Sequence, residues 1–479
     1  MRKSTINKLL RPLLLIGCIA FFTLPTEAQK KHKTPNILFV LIDDLGWKDL
    51  GVYGGKFIET PVTDQLAREG MRFTQAYASP VCSPTRASLV SGQNPIRHGI
   101  WEVLGVSDRP YAKLKSPKMA TKLADDVDSY AELLNAEGYA CGIVGKWHAG
   151  GKPQDVGFSK INKNISDPTL LKYIEENEMH ELGEITAEGI QFIRDHKEEP
   201  FFLCVSHHAV HAPLYARTEL IDKYNAKLRK TGISNIHPTY AAMVEMADES
   251  TGLLLDELKK QGLDKNTVVV YYSDNGGMDG DMYLAEPTPM ATTMLPLRDQ
   301  KGTLYEGGLR VPLIVKWPGE VVENTVSSVP VHSYDLFSTF IEIGKTKKPA
   351  QKVDGISLVP LLKQETATLN RDALYWHFPT NMWTRNPKGA IRKGDYKLIE
   401  NYLTGEIELY DLADDIGETV NLVKQRPEKA KELYNDLKSW RDSFGGLMPT
   451  ENPNYDRFRE HEFDYYRWLD PAVFRKKKS

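Results

Sequence analysis

Four short apolar runs in this sequence each break off into residues that could bind a cation, hold an anion or move a proton. Asn36 to Ile42 ends in Asp43-Asp44, and the run through Val144 ends in Gly145-Lys146-Trp147-His148. The run through Val205 ends in Ser206-His207-His208, with His211 shortly after, and Thr267 to Tyr272 ends in Ser273-Asp274-Asn275-Gly276-Gly277. Asp43, Asp44, Asp274 and Asn275 offer hard oxygen ligands, a set that suits calcium, or magnesium, rather than zinc. No CxxC pair is present to argue for a zinc site. Beside these acids stands Cys82, which opens Cys82-Ser83-Pro84-Thr85-Arg86 in a polar setting. A thiol is a soft companion for oxygen ligands, so Cys82 is expected not to act as a cysteine.

The surroundings of Cys82 suit an anion. Ser83 can cap a helix and Pro84 suits its first position, with Ala87 to Val90 continuing it. Cys82 then faces a helix N-terminus, where negative charge is favoured. Arg86, four residues on, shares its face. Lys146 and Lys301 add fixed positive charge, and His148 and His211 can carry protons near neutral pH. A metal, an Arg, two Lys and two His around one nucleophile fit a tetrahedral anionic substrate. Each piece also has a plainer reading. Asp-Asp and Asp-Asn-Gly-Gly are common turns and caps. Cys82 alone reads as a buried or redox thiol, Lys301 as a solvated turn residue, and His211 as a loop histidine. His207 and His208 read as structural or supporting. Four chemistry-bearing strand ends together favour a single site.

That site needs a scaffold. Asn36–Ile42, Gly142–Val144, Phe201–Val205 and Thr267–Tyr272 are continuous apolar runs, as expected of strands buried on both faces. Helical patterns at Ser129–Glu137, Ile185–His196 and Tyr240–Gln261 alternate with them. The fold class is therefore α/β, a mostly parallel sheet flanked by helices on both faces. In such sheets ligands bind beyond the carboxyl ends of the strands. After about residue 365, shorter alternating runs at Ala373–Phe378, Ala390–Ile391, Tyr396–Glu400 and Glu406–Tyr410 predict an antiparallel sheet, followed by a helix over Pro427–Ser443. The organisation read is a leader over 1–28, a catalytic domain over 29–365, a smaller α+β domain over 366–450 and an aromatic, basic tail over 451–479.

The chain has 479 residues, 41% hydrophobic and 26% charged, with net charge -3. This gives no argument for nucleic acid or an anionic membrane as partner. Lys3, Lys8 and Arg11 precede an apolar core, Leu13–Leu24, too short to span a bilayer, and Thr26-Glu27-Ala28 offers a cleavage site. The expected location is exported, periplasmic or secreted. Leu15-Ile16-Gly17-Cys18 also looks like a lipobox, although the apolar run continues past it. Without Cys18 three cysteines remain, which is no disulfide framework, and Cys141 and Cys204 read as small buried hydrophobes.

The segment CSPTRASLVSG (Cys82 to Gly92) resembles the C-x-P-x-R signature of the formylglycine-dependent sulfatases in the alkaline-phosphatase-like superfamily. Gly145–His148 (GKWH) and Lys301–Pro312 (KGTLYEGGLRVP) resemble two more of their motifs. The resemblance runs from about Pro35 to Asn421. It implies that a maturation enzyme oxidises Cys82 to formylglycine, which presents oxygen instead of sulfur. It implies that Asp43, Asp44, Asp274 and Asn275, with the modified Cys82, hold calcium. Arg86 and Lys146 would stabilise the hydrated aldehyde and its anion, and His148 would assist breakdown of the sulfated intermediate. His211 would protonate the leaving alcohol and Lys301 would bind sulfate. The implied substrate is a sulfated oligosaccharide carrying galactose or N-acetylgalactosamine. His98, Trp101, His377, Asn381, Trp383 and Arg385 are the expected sugar contacts, with packing between domains the plainer reading. Two other functions stay open: a phosphatase or phosphonate monoester hydrolase of the same superfamily, and a non-catalytic protein binding sulfated glycans.

Overall fold

Every residue of β1 (Asn36–Ile42) is buried, because its side chains serve two cores. Leu38, Val40 and Ile42 point into one apolar cluster, and Ile37, Phe39 and Leu41 into the other. That is the two-residue alternation of a strand with helices on both faces. The computed structural model describes residues 34–106, 108–161, 163–178, 181–278, 291–381, 386–445 and 447–460. The leader and Cys18 lie outside them.

The next strands are β2 (Met71–Tyr77), β3 (Leu114–Lys115), β4 (Ala140–Gly145), β5 (Phe201–Ser206) and β6 (Thr267–Ser273). After them come β7 (Arg310–Lys316), β8 (Thr325–Ser327) and β9 (Val331–His332). The large sheet runs β4-β5-β1-β6-β7-β2-β8, with β9 paired to β2. Pairing is parallel except at β7, which runs antiparallel to both β6 and β2. The four strands that carry chemistry at their ends, β4, β5, β1 and β6, are consecutive neighbours and mutually parallel. Their carboxyl ends therefore fall side by side along one edge. Each of their fully buried Val, Leu, Ile or Phe side chains contributes about 1.5–3 kcal/mol, so this edge stands on the best-packed part of the molecule.

The smaller sheet is antiparallel, formed by β10 (Ala373–Phe378), β11 (Lys388–Lys393), β12 (Tyr396–Asn401) and β13 (Ile407–Asp411) in that order. The helix Pro427–Asp442 packs Ala430, Leu433 and Leu437 on Ile391, Leu398 and Leu409. A last short strand, β14 (Thr450–Glu451), pairs with β3, and Asn452 N–H donates to Lys113 O. The described part of the tail thus packs back on the body. Cys82, Cys141 and Cys204 are free and buried.

A buried ion cluster joins the two sheets. Lys397 of β12 is wholly buried and lies 2.9 Å from both Glu306 and Glu418. Arg310 of β7 donates to Glu306 at 2.7 Å, and the Tyr77 hydroxyl donates to the same carboxylate at 2.8 Å. Arg392 of β11 donates to that Tyr77 hydroxyl. Burial opposes ionisation of Glu306, but Lys397, Arg310 and Arg392 outweigh it and hold its carboxyl below the usual range. Removing one partner strands the others without water. Lys397→Ala is expected to cost about 3–5 kcal/mol of unfolding free energy by urea titration. A loss below about 1 kcal/mol would show that the cluster does not tie the sheets together.

Candidate active site

Beyond the edge of β4, β5, β1 and β6 lies the ten-residue helix Cys82–Ser91, every residue of it buried. It starts two residues earlier than the sequence suggests, with Val81 and not Ser83 at the cap position. Ser83 does not cap it, because its hydroxyl instead accepts from Leu104 N–H at 3.1 Å. Pro84 is accommodated because first-turn N–H groups need no intrahelical acceptor. Cys82 therefore sits in the first turn with its Sγ 3.2 Å from His148 Nδ1. The other ring nitrogen, Nε2, meets Leu104 O at 3.3 Å. A carbonyl only accepts, so Nε2 carries the hydrogen and Nδ1 turns its lone pair to residue 82. Burial first, then Lys146, pushes the ring's pKa down to about 4, which keeps that lone pair available at neutral pH.

Arg86 turns inward on the same face. It donates through Nε to Asp274 at 2.8 Å, and through Nη1 to Lys146 O at 2.9 Å and Ser206 Oγ at 2.7 Å. One guanidinium thereby ties the signature helix to the ends of β4, β5 and β6. Lys146 pairs with Asp43, and Lys301 donates to both Asp44 oxygens at 2.6 and 2.8 Å. His211 Nδ1–H donates to Ala212 O at 2.6 Å, which leaves Nε2 directed at Asp44 Oδ2, 3.7 Å away. Burial first, then Lys301, lowers the pKa of His211. His207 is fully buried against Ser250, and His208 lies half-exposed 3.7 Å from Glu181.

The acids have room for a cation. Ligand atoms of Asp43, Cys82 and Asp274 all lie within 4.8 Å of one another. Asp43 Oδ1 and Asn275 Oδ1 are buried without a hydrogen-bond partner, and such orphans are costly unless something binds them. Burial, then the charge of Asp43, pushes Asp274 up to about 7. A divalent cation would satisfy both orphan oxygens and remove that repulsion, so the residues present fit one. The thiol of unmodified Cys82 occupies the place where an oxygen ligand would complete the set.

Some contributors escape sequence reasoning. Asp49 is buried, accepting from Gly46 N–H at 2.9 Å, Tyr240 OH at 2.6 Å and Thr292 Oγ1 at 2.5 Å. Tyr240 OH also lies 3.3 Å from Asp44 O, so this group braces the turn in which Asp44 adopts a left-handed φ of 62°. The Asp-Asp-x-Gly-x-x-Asp spacing carries a trace of it, but Tyr240 and Thr292 come from far along the chain.

The expected sugar contacts fold inward instead. His98 uses one ring nitrogen on Ser88 Oγ at 3.1 Å and the other on Ile100 N–H at 3.1 Å. His377 accepts from Tyr402 OH at 2.9 Å and donates to Leu447 O at 3.0 Å. Asn381 is buried between Leu114 O and the Arg109 side chain, and Trp101 is 2% exposed against His377. The contacts just given for these four side chains are all with the protein's own groups. Trp383 and Arg385 lie outside the described residues.

Comparison with known proteins places this geometry. Residues 35–345 match the family model described as Sulfatase. Residues 299–442 match the one described as N-sulphoglucosamine sulphohydrolase, C-terminal. A protein named Sulfatase from Formosa agariphila is 32% identical over 89% of this chain and 93% of its own length. The N-acetylgalactosamine-6-sulfatase of Rattus norvegicus is 32% identical over 76% of this chain and 71% of its own. The crystal structure of Ps i-CgsB in complex with k-i-k-neocarrahexaose is 26% identical, with a TM-score of 0.68, covering 93% of this chain and 99% of that one.

The two orphan oxygens predict that divalent cations stabilise the fold. At a hundred times its Kd the ion adds about 2.7 kcal/mol. Chelation should therefore lower Tm by several degrees, with recovery when calcium is restored. In Asp274→Asn the calcium-dependent part of the shift should shrink. An unchanged calcium response in that variant would remove Asp274 from the ligand set.

Proposed function

The chain belongs to the sulfatase family, and on that premise we propose that it hydrolyses sulfate esters on galactose or N-acetylgalactosamine units of a glycan. One observation carries the reading. Four adjacent parallel strands deliver Asp43, Lys146, His211 and Asp274 to one edge, where Asp43 and Asp274 cluster with Cys82, and the Oδ1 atoms of Asp43 and Asn275 are buried and unsatisfied. The relatives supply the substrate class: one is named for 6-sulfated N-acetylgalactosamine, and one solved neighbour holds a neocarrahexaose.

Cys82 oxidised to formylglycine would supply an oxygen nucleophile, and calcium held by Asp43, Asp44, Asp274 and Asn275 would withdraw charge from it and from the sulfate. The chain's own groups do the rest. Lys146 and Lys301 hold ammonium groups against the acids, where they bind the anionic sulfate oxygens and neutralise charge as it builds. Arg86 fixes residue 82 relative to Asp274 and to the ends of β4 and β5. His148 Nδ1, 3.2 Å from the Cys82 side chain, accepts a proton there. His211 Nε2 faces the site; when the ring is doubly protonated it gives the Nε2 proton to the departing sugar oxygen, and burial makes that proton easier to release. The protein acts exported, periplasmic or secreted, after a maturation enzyme has modified Cys82. Among the described residues no helix is long and apolar enough to cross a membrane.

Peptide mass spectrometry over Cys82 and turnover of aryl sulfate against aryl phosphate test the proposal together. Modified wild type should release sulfate faster, and Cys82→Ala should lose turnover. Faster phosphate release would replace the reading with a phosphatase. A Cys82→Ala variant that kept most activity would remove the nucleophile.

His211→Ala should slow sulfated sugars about 10²-fold or more, within the usual range for a general acid. It should slow activated aryl sulfates far less, because an aryloxide leaves without help. Equal losses on both would remove the proton-donor role.

A further inference from the structure

Asp44 presents its carboxylate from a backbone that resists the position. Its φ of 62° lies in the left-handed region, which a residue other than glycine keeps only where its surroundings impose it. Three consecutive amides show how it is imposed. Asp44 N–H donates to Asp274 Oδ1 at 3.3 Å, and Leu45 N–H donates to Ser273 Oγ at 3.1 Å. Gly46 N–H donates to Asp49 Oδ2 at 2.9 Å. The first two acceptors stand at the end of β6, among the residues of the site. The third stands outside that set.

A long helix holds Asp49 in turn. Tyr240, in the first turn of the helix Pro238–Lys260, donates to the same Oδ2 at 2.6 Å. Its hydroxyl oxygen also lies 3.4 Å from Gly46 N and 3.3 Å from Asp44 O. Tyr240 thereby reaches both the Asp49 carboxylate and the backbone of Asp44. Thr292 Oγ1 donates to the other Asp49 oxygen at 2.5 Å. Asp49 is 4% exposed and Tyr240 1%, so these bonds form out of reach of water, where each is stronger. The fit is close: a Cβ on Gly46 would stand 2.5 Å from Asp49 Oδ2.

We infer that Asp49 and Tyr240 are positioning residues for the cation site, fixing the turn so that the Asp44 carboxylate stays aimed at a divalent ion. The inference rests on the cation reading of the main site and does not need the sulfatase reading. Lys301 donates to both Asp44 oxygens, so a turn that slackens would let the carboxylate follow the ammonium instead of the ion. Asn275 Nδ2 donates to Asp44 Oδ1 at 2.7 Å, and that bond directs the unsatisfied Asn275 Oδ1 the other way. Moving Asp44 therefore disturbs two candidate ligands at once.

The test is calorimetric titration of calcium into matured wild type, Tyr240→Phe, Asp49→Asn and Tyr224→Phe, with each protein also melted in chelator. Tyr240→Phe keeps the buried ring and removes only the hydroxyl. It should weaken calcium binding about tenfold, as groups that orient a metal's ligands do, while its Tm in chelator stays near wild type. Asp49→Asn should weaken binding at least as much. Tyr224→Phe is the control, because its hydroxyl is buried in the same apolar core but meets Glu59 N–H at 3.0 Å. Its calcium affinity should match wild type. Unchanged affinity in Tyr240→Phe, with or without a lower Tm in chelator, would overturn the positioning role. Equal weakening in Tyr224→Phe would overturn it too, since any lost buried hydroxyl would then do the same. A wild type that binds no calcium would overturn the cation reading and this inference together. A wild type that binds calcium but releases no sulfate from an aryl sulfate would overturn the sulfatase reading alone.

Discussion

Three carboxylates share one buried space in this protein, and the rest of the structure answers to that. Asp43, Asp44 and Asp274 are each almost fully withdrawn from water. Isolated buried charges of one sign cost several kcal/mol each. Arg86, Lys146 and Lys301 face them from a helix, a strand end and a distant turn. The acids and bases balance, but two oxygens remain unsatisfied. The same arrangement that attracts a cation also presents fixed positive charge to an incoming anion. Catalytic power in such a site comes from dipoles and charges already in place, so little reorganisation is needed at the moment of reaction.

Holding that balance requires rigid anchors. The acids project from neighbouring parallel strands with fully buried apolar sides, so their spacing is set by the sheet and not by loops. The smaller sheet is secured to this scaffold by a second ion cluster around Lys397 and Glu306, in which every member has a partner of opposite charge or a hydroxyl. One cluster borders the reactive residue, and the other lies where the two sheets meet. That contrast separates the part of the molecule that does chemistry from the part that orients it.

How much of this the sequence discloses depends on how local each signal is. The strand ends are legible because a run such as Thr267–Tyr272 and the Asp274-Asn275 that follows lie within nine residues. Arg86 is legible because helical spacing sets its face relative to Cys82. Ser83 is misread as a cap because its actual partner, the Leu104 amide, is 21 residues away. Asp49 looks like any loop acid until Tyr240 and Thr292 arrive from elsewhere in the chain. His98 and His377 look like surface recognition groups, since sequence does not reveal that both ring nitrogens of each are already engaged inside. Local chemistry reads well, and burial in long-range contacts does not.

The segment after the signature helix has a consequence for timing. Leu104 closes over Ser83 and His148, and farther along the same segment β3 is paired by β14, almost 340 residues later in the chain. Cys82 is 2% exposed once this is assembled. An enzyme that modifies Cys82 would find its side chain covered among the described residues. The segment would have to open, or not yet have closed, for that side chain to be reached. The contacts that shape the surroundings of residue 82 would then also set when it is accessible.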